Sequence, residues 1–172
     1  MRCVVFFLCG LLVMSALPVR AAEPARPAAA VASVTGLPLP RFVSVRAEPV
    51  NVRSGPGERY PVLWVLKKRG MPVQVIAEYE NWRKIRDWMG TEGWVHQAML
   101  NSHRSVVIHP ENGVLRVDPN GIARPLARIE AGVVAEIKEC EAAWCRIEIG
   151  QMAGWIDKHA LWGVDVGEVI KE

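Results

Sequence analysis

Cysteine side chains are the first candidates for chemistry in this sequence, because a thiolate can act as a nucleophile or bind a metal. Cys3 and Cys9 lie in the apolar start of the chain, whereas Cys140 and Cys145 form the motif CEAAWC. A cysteine nucleophile needs a free thiol with a histidine partner, and Cys-x4-Cys without a second ligand pair is a poor zinc signature. In an exported protein, Cys140 and Cys145 are expected to form a disulfide across a β-hairpin and fix its register, with a metal pair as the alternative.

Histidines could supply a general base or metal ligands, but their spacing here is irregular. The four are His96, His103, His109 and His159. They form no HExxH motif, and the sequence contains neither G-x-S-x-G nor S-x-x-K. Because no catalytic constellation is visible, we predict a protein that is not an enzyme, with no catalytic residue, no metal and no cofactor.

The start of the chain is typical of a secretory signal peptide over residues 1–21. A short basic start precedes an apolar run at residues 4–17, and small residues follow at Ala21 and Ala22, after either of which cleavage could occur. The apolar run is too short for a comfortable membrane span. We therefore predict export with no stable span after cleavage; an uncleaved anchor is the alternative.

Residues 22–41 are rich in Ala, Pro and Ser and show no apolar period, which predicts a flexible linker. The remainder divides into two similar halves, 42–104 and 105–172. Matching positions, with a drift of one residue at each loop, are Arg53 and Arg116, Pro56 and Pro119, Gly70 and Gly132, Trp82 and Trp144, and Gly93-Trp94 and Gly154-Trp155.

Each half reads as β-structure. Short runs of β-branched and aromatic residues alternate with turn sequences such as SGPG, KKRG and MGTEG, and no window carries a helical period. This pattern predicts an all-β protein made of two tandem small β-barrels that follow the signal peptide and linker.

The order of motifs resembles that of bacterial SH3-like (SH3b) domains. The first half contains NVRSGPG at 51–57, G-x-P-V at 70–73, N-W at 81–82 and E-G-W-V at 92–95. The second half, with its two cysteines and Gly154-Trp155, resembles the partner domain of two-SH3 periplasmic proteins. The resemblance implies tandem SH3-like barrels, a periplasmic location and, as in better-understood family members, binding of cell-wall peptides.

Aromatic and basic residues provide the candidate binding surface. Residues 42–104 hold ten Lys and Arg against six Asp and Glu, whereas residues 105–172 hold seven against eleven. Tyr60, Trp64 and Trp88 have no aromatic counterpart in the second half, so we expect the barrel not to need them. At least half of the matched tryptophans are expected in the core or on a groove floor. The candidate ligand-binding residues are Asn51, Arg53, Ser54, Tyr60, Trp64, Trp88 and Trp94.

The loop NVRSGPG has a conformational explanation as well. Gly55 and Gly57 are expected to allow positive φ, and Pro56 fixes its own φ. Arg53 and Pro56 are expected to serve the fold because both halves keep them.

These observations leave three functions open. The first is a non-catalytic protein that binds peptidoglycan peptide or an envelope protein. The second is a structural or regulatory protein–protein interaction module without a cell-wall ligand, and the third is a hydrolase accessory or a hydrolase whose site is cryptic. Basic clusters beside tryptophans could bind single-stranded nucleic acid, but export and a nearly neutral mature chain argue against it. The basic first half could also dock on the acidic second half.

Overall fold

The structure is a computed structural model that describes residues 33–171. The predicted signal peptide (1–21) and residues 22–32 of the predicted linker lie outside the described residues. Within residues 33–171, no helix is long and apolar enough to cross a bilayer. The fold is all-β and consists of two seven-stranded sheets whose strand pairs are antiparallel.

The first sheet has the strand order β3-β2-β6-β5-β4-β1-β7. Its strands are β1 (Arg41–Val45), β2 (Val50–Arg53), β3 (Val62–Leu66), β4 (Pro72–Tyr79), β5 (Trp82–Arg86), β6 (Glu92–His96) and β7 (Leu100–Asn101), with a 3-10 turn at Gln97–Met99.

The second sheet repeats that order as β10-β9-β13-β12-β11-β8-β14. Its strands are β8 (Ser105–Ile108), β9 (Gly113–Arg116), β10 (Pro125–Ile129), β11 (Val134–Cys140), β12 (Trp144–Ile149), β13 (Met152–Asp157) and β14 (Leu161–Trp162), with a 3-10 turn at Lys158–Ala160. The identical order confirms the predicted tandem repeat.

Each sheet curls around a small apolar core of its own. Strand alternation decides which side chains enter the core: Gly93 and Val95 of β6 are buried, and Trp94 between them is not. The first core consists of Val45, Val50, Val52, Leu66, Val73, Val75, Ile85 and Val95. The second consists of Val106, Ile108, Leu115, Ala135, Ile137, Cys140, Cys145, Ile147, Ile156 and Leu161.

The predicted all-β architecture with two tandem domains is confirmed, but the two sheets are not closed into barrels. Hydrogen bonding runs from β3 to β7 in one sheet and from β10 to β14 in the other, and no ladder joins these end strands within residues 33–171. A closed barrel needs a continuous ladder around its circumference. Here β7 and β14 are two residues long, and β2 meets β6 through a single residue pair.

The described end of the predicted linker is attached to the first sheet. Ser33 Oγ donates to a Glu78 carboxylate oxygen at 2.7 Å, and the backbone N–H of Thr35 donates to it at 2.9 Å. Strand β1 begins at Arg41, whose guanidinium lies 2.6 Å from the same carboxylate. These bonds hold the residues before β1 against β4.

The predicted disulfide is confirmed. Cys140 on β11 and Cys145 on β12 lie directly opposite each other and are bonded, with their Cα atoms 4.1 Å apart. Cys140 also pairs through its backbone with Ile170 in the C-terminal segment. The bridge therefore cross-links the two strands of the β11–β12 hairpin at the position where the C-terminal segment pairs with β11.

The two domains contact each other through hydroxyl and aromatic groups. Ser44 Oγ and Ser105 Oγ, on β1 and β8, lie 2.6 Å apart. The rings of Phe42 and Trp162 meet edge to face at 5.0 Å. The two sheets are therefore joined through their β1 and β8–β14 sides.

Candidate functional site

Five of the predicted ligand-binding residues lie on the outer face of the first sheet or in the loop that follows β2. They are Asn51 and Arg53 on β2, Ser54 just after it, Tyr60 in the following loop, and Trp94 on β6. Val50 and Val52 enter the core, so alternation directs Asn51 and Arg53 outward.

A row of three side chains crosses this face. Arg53 is paired in register with Trp94, and Trp94 is paired with Lys84 on β5. Directly opposed side chains on one sheet face lie close enough to interact. We call these three residues the first row. Sequence reasoning missed Lys84, although the two-residue period of a β-strand places it on the same face as Trp82.

Arg53 also stabilises the loop between β2 and β3, which lies beside the row. Its Nη1 donates to the carbonyl oxygens of Glu58 at 3.0 Å and Tyr60 at 2.8 Å. In the second domain, Arg116 Nη1 donates to the carbonyl of Ala123 at 2.7 Å. These equivalent bonds explain why both halves keep the arginine.

The Tyr60 ring packs onto the glycine loop. A Cβ atom added to Gly55 would lie 2.5 Å from the ring, closer than any real contact allows. Neither Gly55 nor Gly57 has a positive φ, so the conformational reason predicted for these glycines is wrong. Gly55 is needed because of the close approach of Tyr60. The Arg59 guanidinium lies 5.2 Å from the centre of the Tyr60 ring.

The outer face carries more positive than negative charge. Lys84 Nζ and Arg86 Nη2 both lie 2.7 Å from the carboxylate of Glu92. The hydrogen bonds from Lys84 and Arg86 hold the pKa of Glu92 below its usual value, so this carboxylate stays ionised. Two cations share one anion, and Arg53 and Arg59 add further positive charge nearby.

Trp64 does not belong to this surface. It packs against the first core, and its ring lies 3.1 Å from the position of a Cβ on Gly93. In the second domain, Leu126 approaches the equivalent Gly154 to 3.0 Å. The inference that residues unique to one half are dispensable for the fold is therefore wrong for Trp64, because a leucine one position away takes its place in the other half.

Trp88 lies apart from the other candidates. It sits in the turn between β5 and β6, and its ring meets that of His109 at 5.4 Å. His109 directly follows β8 of the second domain. Trp88 therefore contributes to the contact between the domains.

The matched tryptophans are surface-facing. Trp82, Trp94, Trp144 and Trp155 are all half-buried, and none belongs to either core cluster. The expectation was that at least half of them lie in the core or on a groove floor. The core part is wrong for this reason, and the groove floor stays a prediction. Each occupies the outward phase of its strand.

A cleft of about 840 Å³ lies between the domains. Its walls include Phe42 and Leu100, and three arginines: Arg41, Arg83 and Arg104. Arg41 and Arg83 are paired with Glu78, and Arg104 with Glu168. All three arginines of the cleft have carboxylate partners, whereas on the outer face Arg53 and Arg59 form no ion pair within residues 33–171. The cleft therefore has less capacity for an anionic ligand than the outer face. Within residues 33–171, no group of three or more His, Cys, Asp or Glu side chains is placed to hold a metal.

Comparison with protein families identifies a matching family. The model of the bacterial SH3 domain matches the chain twice, at residues 46–101 and 109–163. Both matches fall on the two sheets described above. A comparison with curated proteins finds no match.

Several solved structures resemble the chain distantly. NlpC2 from Trichomonas vaginalis is 12% identical with a TM-score of 0.33, and the match covers 72% of this chain and 48% of that one. NlpC1 from the same organism is 11% identical with a TM-score of 0.34, covering 77% and 50%. An NlpC/P60 family protein from Bacillus cereus is 12% identical with a TM-score of 0.31, covering 70% and 55%. The chain thus spans about half the length of these proteins.

Proposed function

The chain belongs to the bacterial SH3 domain family, and from this premise we propose that it is an exported, non-catalytic protein that binds peptidoglycan peptide. The binding surface is the outer face of the first sheet, formed by the first row together with Tyr60 and its neighbours Asn51 and Ser54.

The observation that carries the proposal is the cross-strand register of Arg53, Trp94 and Lys84. A wall peptide carries free carboxylates, which guanidinium and ammonium groups can bind. Aromatic rings supply a large contact area with few rotatable bonds, and such residues commonly anchor interfaces. A row that places an indole between two cations suits a short peptide with an apolar body and an anionic end.

The proposal includes a periplasmic location, which is supported by the predicted signal peptide, by the resemblance to two-SH3 periplasmic proteins and by the disulfide. Disulfides persist in oxidising compartments such as the periplasm and are rare in the cytosol. The Cys140–Cys145 bridge is built into the register of β11 and β12, so it suits a protein that folds after export.

The test is retention of the purified mature protein on purified peptidoglycan sacculi. The variant Tyr60→Ala/Trp94→Ala removes both aromatic groups of the surface. Met89→Ala is the matched control, because Met89 is 73% exposed and lies in the β5–β6 turn away from the row. We expect the double variant to lose at least tenfold in retention and the control to bind like wild type.

The other outcomes each contradict part of the proposal. Equal retention of wild type and double variant would refute the surface, provided that thermal melts show both are folded. No retention of either, with one envelope protein captured by cross-linking, would support the protein–protein alternative. Soluble muropeptides released from sacculi by the protein alone would contradict the non-catalytic role.

A further inference from the structure

The second sheet contains a row that matches the first. Arg116 on β9 is paired in register with Trp155 on β13, and Trp155 with Arg146 on β12. We call Arg116, Trp155 and Arg146 the second row. It has the same order as the first: arginine, tryptophan, cation.

The surroundings of the two rows are also alike. Arg116 donates to the loop carbonyl of Ala123 as Arg53 donates to that of Tyr60. The third cation has a carboxylate neighbour in both cases, since Arg146 lies 3.6 Å from Glu139 and Lys84 lies 2.7 Å from Glu92. Although the second half of the chain is acidic overall, the second row contains two arginines and has one neighbouring glutamate, so its local charge is positive.

One difference separates the rows. Ala123 stands where the first domain has Tyr60, so the second row lacks the neighbouring ring. Its aromatic contact area is smaller, and its affinity for the same ligand is expected to be lower.

Both rows lie away from the contacts that join the domains. Those contacts use Phe42 with Trp162, Ser44 with Ser105, and Trp88 with His109. Within the described part of the chain, no residue of either row takes part in these pairs, so these contacts do not occupy either row.

We propose that the second row is a second, weaker site for the same carboxylate-bearing peptide, so that one chain binds two peptides of a single polymer. This inference rests on the function proposed above. Two connected sites make the second binding step intramolecular, which typically raises overall avidity by about 10²–10⁴. A polymer with many identical peptides is the ligand that such an arrangement favours over a single-copy partner.

The experiment compares Trp94→Ala, Trp155→Ala and the double variant with wild type, using two probes. The first is intact sacculi, on which avidity acts, and the second is the soluble muropeptide mixture that a muramidase releases from them. Val166→Ala is the control, since Val166 is 95% exposed in the second domain and remote from both rows. Trp155→Phe serves as the conservative variant if Trp155→Ala fails to fold.

We expect about two muropeptides bound per wild-type chain and one per single variant in titration calorimetry. On sacculi, each single variant should lose at least tenfold in retention, and the double variant should lose retention altogether. Wild-type retention of Trp155→Ala combined with loss in Trp94→Ala would overturn the second site and leave the proposed function intact. Wild-type retention of all three variants would overturn the proposed function itself.

Discussion

Gly55 and Tyr60 are a matched pair at the residue scale. The ring occupies the space where a side chain on residue 55 would lie. In the second domain, Asp118 and Ala123 stand at these two positions. Where the ring is absent, the loop accepts a larger residue, so the two positions differ together for a steric reason.

The pair leads to a stability prediction for Gly55→Ala. The new methyl group must displace Tyr60, and overpacking of this kind costs about 1–3 kcal/mol. Urea unfolding should show this loss. The variant Gly55→Ala/Tyr60→Ala should regain most of it, because the ring that clashes is gone.

Asp118→Ala in the second domain is the matched control for this cycle. Its neighbour at the Tyr60 position is Ala123, so we expect a change of less than about 0.5 kcal/mol, as is usual for surface substitutions. If Gly55→Ala and Asp118→Ala destabilised the protein equally, steric conflict with Tyr60 could not be the cause.

The sequence predicted which side chains of β2 face outward, but it did not predict which residues surround Trp64. Alternation along β2 was enough to direct Asn51 and Arg53 outward. The place of Trp64 could not be read from matched positions. The β2–β3 and β9–β10 hairpins have the same register, with a bulge at Leu63 and at Leu126, but the residue that matches Trp64 is the small Ala127, and Leu126 approaches Gly154 instead. The side chain that covers Gly93 therefore comes from a different position than the one that covers Gly154.

At the scale of elements, Glu78 joins the segment before β1 to strand β4. Its side chain is fully buried and accepts hydrogen bonds from Ser33, Thr35 and Arg41. Burial alone would raise the pKa of this carboxyl, but the hydrogen bonds outweigh it and lower the pKa to about 2. The ionised carboxylate of Glu78 thus links the segment before β1 to strand β4.

This pKa predicts a pH dependence of stability. Because the folded pKa is about 2 and the usual pKa of a glutamate is 4.5, the contribution is complete above pH 4.5 and is lost as the pH falls toward 2. Its upper bound is roughly 3 kcal/mol. Urea unfolding between pH 6 and pH 2 should show a shallower decline for Glu78→Gln than for wild type, with a residual slope because Glu92 and Glu168 also have lowered pKa values.

Glu48→Gln is the control for Glu78→Gln, since Glu48 is exposed. Its pH profile should match that of wild type. Hydrogen exchange at residues 33–40 supplies a second measurement, because Glu78→Gln should raise exchange there. Unchanged exchange would show that the segment is held by contacts other than Glu78.

The Cys140–Cys145 disulfide also joins two elements, the strands β11 and β12. Cys140→Ser/Cys145→Ser removes a small ring, for which the entropic contribution is roughly 2 kcal/mol, and it also replaces two buried side chains. We expect the second domain to lose more than 2 kcal/mol and the first domain to be unaffected. Mass spectrometry should find no free thiol in the mature wild-type protein, and two alkylatable cysteines would contradict the bridge.

At the scale of the whole molecule, the repeat was visible in the sequence but the contact between the domains was not. The repeat is carried by many matched positions, and each adds to the signal. The contact depends on isolated residues such as Phe42 and Trp162, which share no period or motif with their neighbours. Charge balance suggested electrostatic docking. The Arg104–Glu168 ion pair does cross between the two halves, whereas the ion pairs of Lys84 and Arg146 lie within their own sheets.

We expect the ring pair of Phe42 and Trp162 to hold the two domains together. An edge-to-face ring pair contributes about 0.5–1.5 kcal/mol beyond the area that it buries, and salt does not screen it. Charge attraction, in contrast, is largely screened at 1 M salt, where the Debye length is about 3 Å. Small-angle scattering of the mature protein should therefore give the same radius of gyration at low and high salt, whereas Phe42→Ala/Trp162→Ala should expand at both. An expansion of wild type in 1 M salt would show instead that the opposite charges of the two halves hold them together.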